Sequence, residues 1–138
     1  MKKIFTVFQA TLVMYCLCLS VYAAVPETVT PLWDNINVIT SDITFDGTEG
    51  NATAVITGKS GTTEIIGTLA VYEKVGTKWE YVDQCSDSNE DRYLVLSVDF
   101  TGEPEVEYKS VLNVLVTRDG MNEVETDTTY ETCPKVED

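Results

Sequence analysis

The chain has 138 residues, 43% hydrophobic and 23% charged, the make-up of an ordinary globular domain rather than a disordered tail or a fibre. Its 23 acidic residues against 9 basic ones give a formal net charge of −14, and there is no histidine. Such acidity opposes binding to nucleic acid or anionic lipid. The missing imidazole removes the commonest metal ligand and every Ser-His or Cys-His nucleophile pair.

Met1-Lys2-Lys3 is a short basic start, and residues 4–22 are apolar apart from Thr6, Gln9, Thr11 and Ser20. Val21 and Ala23 supply the aliphatic and small residues of a signal-peptidase site. This pattern predicts a cleavable signal-peptide helix over residues 1–23, followed by an N-terminal extension over residues 24–35. Lipid attachment wants a small residue before the modified cysteine, but Tyr15 precedes Cys16 and Leu17 precedes Cys18. Free secretion, with no membrane contact after cleavage, is the expected destination. Removing the leader takes Lys2 and Lys3 with it, which moves the net charge from −14 to −16. The remainder is room for one domain.

From residue 36 onward, alternation, β-branched residues and regular turn punctuation predict strands rather than helices. Residues 36–45 form the first, closed by Asp46-Gly47. Residues 51–57 form the second, with Lys59-Ser60-Gly61 as the following turn. Asn51-Ala52-Thr53 is also a glycosylation sequon, though the Lys-Lys leader looks bacterial and argues against its use. Residues 64–74 place Ile65, Gly67, Leu69 and Val71 on one face. Gly76-Thr77 turns into residues 78–84, whose Trp79, Tyr81 and Val82 suggest a partly buried edge. Trp33 and Trp79 are expected to plug the core or close one end of it.

Asp87, Asn89 and Asp91 then reproduce the one-three-five oxygen spacing of a calcium loop. Arg92 stands where the turn glycine belongs and Val98 where the bidentate glutamate belongs, so a solvated acidic turn is expected. No metal or cofactor is assigned. Residues 92–100 bring Leu94, Leu96, Val98 and Phe100 together, with Tyr93, Val95, Ser97 and Asp99 opposite. Glu103, Glu105 and Glu107 alternate as strand residues would, and are expected to guard an edge. Residues 107–117 hold Tyr108, Ser110, Leu112, Val114 and Val116 in phase, with Tyr108 where immunoglobulin-like folds carry a tyrosine corner. Asp119-Gly120 signals a two-residue hairpin turn, and residues 123–131 return as a polar last strand. The whole predicts an all-β chain: a single antiparallel, immunoglobulin-like β-sandwich of about seven strands over residues 36–132, with a polar tail at 133–138.

Cys85 and Cys133 are the two cysteines left after cleavage, and an oxidising compartment predicts that they pair. Their 48-residue separation makes such a bridge worth roughly 4 kcal/mol in the chain-entropy model.

Trp33-Asp34-Asn35-Ile36, the run over residues 61–72, and Tyr108-Lys109-Ser110-Val111 leading to Val116-Thr117-Arg118-Asp119-Gly120 carry a resemblance. Together they resemble a family of short secreted proteins from Gram-positive, clostridia-like bacteria, predicted to form an immunoglobulin-like β-sandwich. The likeness extends over residues 33–130. It implies the fold and the export; the family's function is unknown, so it implies no catalytic residue.

Paired carboxylates could run glycoside hydrolysis if held about 5 to 9 Å apart in a cleft. Nothing in the sequence frames a cleft, so the chain is not expected to be an enzyme. The expected function is a secreted, non-catalytic binding or interaction module for an extracellular protein or glycan, with Trp79, Tyr81 and Tyr93 as candidate ligand contacts. The alternative is a secreted effector or inhibitor, bacteriocin-like, acting through an exposed loop. A glycan-acting enzyme is the remote third reading.

Overall fold

Strands with one apolar face and one polar face are stable only when two such sheets stack their apolar faces together. That is the arrangement here. A computed structural model describes residues 32–136; the expected leader and most of the extension lie outside the described residues. The seven strands are β1 (Ile36–Asp46), β2 (Glu49–Gly58), β3 (Thr62–Val75), β4 (Lys78–Asn89), β5 (Tyr93–Thr101), β6 (Glu107–Arg118) and β7 (Met121–Thr132). All pairing is antiparallel, in a three-stranded sheet ordered β1-β2-β5 and a four-stranded sheet ordered β4-β3-β6-β7. The fold is the immunoglobulin-like sandwich that the alternation predicts.

Turn chemistry fits the connections. In the β6–β7 hairpin Asp119 and Gly120 have φ of 51° and 75°, the paired left-handed residues of a type I′ turn. The core fills from both sheets: Ile43, Ala52, Ala54, Ile56, Leu94, Leu96 and Val98 meet Ile65, Leu69, Val71, Leu112, Val114 and Val116. Gly67 sits in the middle of β3 because a Cβ there would lie 2.8 Å from a methyl of Leu96 and 3.0 Å from one of Leu94. The small residue on one sheet makes room for two large ones on the other.

Tyr108 closes one end of the core, fully buried and packed against Phe45 and Phe100 with ring centroids 5.6 and 5.1 Å away. Its hydroxyl accepts a hydrogen bond from the backbone N–H of Glu103 at 2.8 Å and donates to Glu73 at 3.3 Å. This is a tyrosine corner in its chemistry, the side chain reaching back five residues to the preceding loop. Burial, the largest influence, pushes the Tyr108 hydroxyl above its ordinary pKa.

Two expectations are corrected. Cys85 and Cys133 are free thiols, not a disulfide. Cys85 faces Leu69 on edge strand β4, Leu69 faces Leu112 on β6, and Leu112 faces Asp127 on β7, the opposite edge. Three strand spacings of about 4.8 Å, plus the six residues from Asp127 to Cys133 at about 3.3 Å each, hold them more than about 20 Å apart. A disulfide tolerates Cα atoms about 7 Å apart at most. Cys133 instead lies buried against the site of Gly102 and near the Gly47 carbonyl, and that burial raises its thiol pKa.

The second correction concerns Glu103, Glu105 and Glu107, which do not share a strand face. Glu105 has φ of 65°, a left-handed turn residue, and only Glu107 belongs to β6. Pro104, which cannot join a sheet ladder, separates the first two.

Candidate functional site

Each Cα pair in a sheet shares a face, so the registers tell which side chains leave the sandwich. On the four-stranded sheet the outward row of β3 includes Ile66, Thr68, Ala70, Tyr72 and Lys74; their partners on β4 are Ser88, Ser86, Gln84, Tyr81 and Trp79. The same row on β6 carries Lys109, Val111, Asn113 and Leu115, facing Tyr130, Thr128, Thr126 and Val124 on β7. Glu64 and Glu107 are the carboxylates on this face among the described residues, one at each end. The other acidic residues of β4 and β7 point to the inner side: Glu80, Asp83 and Asp87 on β4, and Glu123, Glu125, Asp127 and Glu131 on β7. A strongly acidic chain therefore keeps its widest surface almost free of negative charge.

Aromatic rings gather at one end of that face. Tyr72 and Tyr81 pack edge to face with centroids 6.1 Å apart, and Trp79 and Tyr130 lie 5.8 Å apart at 53°. The Lys109 ammonium sits between them, 4.7 Å from the Trp79 ring and 5.3 Å from Tyr72. Lys74 also approaches the Trp79 ring, at 5.7 Å, and pairs with Glu107 at 3.1 Å. Each exposed cation–π contact is worth about 0.5–1 kcal/mol, so together they bias the orientation of the rings. Tyr81 and Tyr130 remain 56% exposed. Across the middle run hydroxyl and amide groups bonded to one another, Thr68 with Ser86 and Thr126 with Asn113, each at 2.8 Å. Towards the far end Ile66, Leu115 and Val124 line a shallow apolar depression.

The three candidate contact residues are split by the fold. Trp79 and Tyr81 belong to this cluster, whereas Tyr93 opens β5 and faces outward from the other sheet. Trp79 is thus a surface anchor and not a core plug; Trp33 does pack against the core. Tyr72, Lys109 and Tyr130 complete the cluster and were not legible as partners, because they lie on three strands whose adjacency depends on sheet order. The signal available was one of phase: Tyr72 and Lys109 both occupy the outward positions of their strands.

Of the residues in the calcium-like spacing, Asp91 alone lies in the expected turn, between β4 and β5. β4 runs on through Asn89, which places Asp87 and Asn89 on a strand. The Asp87 and Asp91 carboxylates accept from the backbone N–H groups of Ser88 and Arg92, and the Asn89 amide donates to the Tyr93 carbonyl. Among the described residues no group of three His, Cys, Asp or Glu side chains is placed to hold a metal ion. Asn51 of the sequon lies within central strand β2, its amide donating to Asp99 at 2.6 Å and Ser97 at 2.9 Å.

No protein-family model matches this chain, and no curated protein matches it in sequence. Among solved structures it is similar to Spo0M, the sporulation control protein of Bacillus subtilis, at 13% identity and a TM-score of 0.39. That match covers 76% of this chain and 51% of the other, so the chain spans about half the length of Spo0M.

Proposed function

We propose that this chain is a secreted, non-catalytic binding module that lays the outer face of its four-stranded sheet on an extracellular glycan. The observation that carries the reading is the ring cluster of Tyr72, Trp79, Tyr81 and Tyr130 around Lys109, set on a face whose carboxylates stand only at its ends. Ring faces offer apolar, polarisable surface to the C–H faces of a sugar. The ammonium and the neighbouring hydroxyl and amide groups match sugar oxygens, and withdrawal of carboxylates spares the ligand competition from fixed negative charge. The alternative, an effector acting through one exposed loop, has less to draw on. Among the described residues the longest connection between strands is residues 102–106.

The test is affinity electrophoresis through gels containing soluble polysaccharides or cell-wall fragments. At least one of them should retard the protein. Trp79→Ala should weaken that retardation by about tenfold, a loss of about 1.4 kcal/mol, in a protein that stays folded and melts only several degrees lower for its lost ring contacts, and Tyr93→Ala should leave it intact. Full retention by Trp79→Ala, or no retardation by any glycan, would remove the reading.

A further inference from the structure

A sandwich of two open sheets has four edges, and edges invite pairing with foreign strands unless something discourages it. Three of the four carry such a feature. β1 is bulged between Ile36 and Val38. β4 is bulged opposite Val71 and Tyr72, where Val82 is the extra residue. β7 turns Glu123, Glu125, Asp127 and Glu131 toward the sandwich, so a strand beside it would bury charge.

β5 carries none of these. It pairs with β2 from Thr101 to Tyr93 without a register shift, and its sequence contains no lysine, proline or glycine. The flanking bonds fix which of its peptide groups are free: Gly58 N–H donates to the Arg92 carbonyl at 2.8 Å, and Gly102 N–H to the Thr48 carbonyl at 2.7 Å. Antiparallel pairing alternates, so Leu94, Leu96, Val98 and Phe100 bond to β2, while Val95, Ser97 and Asp99 direct both N–H and C=O away from it. The Tyr93 carbonyl has the same outward phase, and the Asn89 amide already bonds it at 2.8 Å. The edge accepts a donor where one is in reach.

The surroundings say what would fit. β5 packs over β3 and β4, and the inner-side positions of β4 facing buried Val71 and Gly67 are Asp83 and Asp87, both exposed. A strand added to β5 would lie about 4.8 Å further out and about 10 Å above β4, with its inward side chains aimed at those two carboxylates. We infer that the β5 edge is a strand-addition site for an extended segment of a partner protein that carries lysine or arginine at alternate positions. A second copy of this chain suits the edge poorly, since it would bring Asp83 and Asp87 against their own equivalents on a molecule of net charge −14. The site lies on the other sheet from the ring cluster and stands independently of the glycan reading.

The probe is a capped nine-residue peptide alternating lysine with threonine and valine, added to isotope-labelled protein. It should bind saturably and slow amide exchange at Val95, Ser97 and Asp99. Val95→Pro removes an outward N–H and no ladder bond; it should reduce affinity at least about tenfold while melting as the parent does. The same peptide N-methylated at alternate amides should fail to bind the unaltered protein, which gives a control that needs no variant. Asp83→Asn with Asp87→Asn should weaken binding at low salt. Equal binding of the N-methylated peptide would reduce the interaction to charge attraction and overturn the proposal. So would a peptide-free dimer abolished by Val95→Pro, which would name a second copy as the occupant, or an absence of binding at millimolar peptide.

Discussion

The Glu123 carboxylate accepts hydrogen bonds from three successive backbone N–H groups, those of Asp34, Asn35 and Ile36, at 2.7 to 2.9 Å. Beside it, the buried Asn35 amide donates to the carbonyls of Val116 and Met121 at 3.1 and 2.9 Å. The two side chains clasp the entry of β1 to the β6–β7 hairpin. Partial burial works to raise the Glu123 pKa, but the three N–H groups and nearby Lys59 outweigh it and hold the carboxyl below its ordinary value of 4.5. A lowered folded value means that the contribution to stability is complete above 4.5 and is lost as pH falls through the lowered value. Glu123→Gln is therefore expected to cost about 1 kcal/mol at neutral pH, kept small by solvent access. Urea titrations should find the gap closing in acid; an equal gap near neutrality and in strong acid would contradict this account. Nothing in the sequence singled out Glu123, since an acidic residue in a polar strand reads as surface until its neighbours are known.

At the scale of the strands, phase was legible and adjacency was not. Ile65, Gly67, Leu69 and Val71 share a face in the sequence and in the fold because a strand alternates strictly, whatever lies beside it. The Cys85–Cys133 pairing failed for the complementary reason: separation along the chain carries no information on which strands become opposite edges. Polar edge strands blur even their own ends, so β4 continued through Asp87 and Asn89, where the oxygen spacing had suggested a loop. The inward glycine of β3 gives the test at this scale. Gly67→Ala places a Cβ against the tips of Leu94 and Leu96, and should lower stability by about 1 kcal/mol or more as the sheets are forced apart. A thermal melt would decide it, and a rise in melting temperature would show that the contact had slack.

Across the whole molecule, charge is sorted by surface. The carboxylates of β4 and β7 border the two open sides of the sandwich, and the broad face of the larger sheet is left to rings, hydroxyls and lysines. Repulsion along those borders is diffuse, so added salt should stabilise the fold by screening and not by occupying a site. Calcium and magnesium at equal ionic strength are thus expected to raise the melting temperature alike, and Asp87→Ala with Asp91→Ala should leave both responses in place. A calcium-specific, saturable rise lost in the double variant would reveal a site, since ligand at a hundred times its Kd adds about 2.7 kcal/mol.

The strand order also sets a timetable. β1 with β2, β3 with β4, and β6 with β7 are hairpins that can zip from their own turns. β5 alone has no hairpin partner: Tyr93 must find Thr57, 36 positions earlier, and Thr101 must find Glu49, 52 positions earlier. That closure, like the pairing of β3 with β6 from Glu73↔Tyr108 to Thr62↔Arg118, loses chain entropy before its contacts are made, so both belong to the slow part of assembling the core. Until β5 closes, Ala52, Ala54 and Ile56 lack their neighbours on it, and a newly made chain is at its most vulnerable to proteases and to other chains.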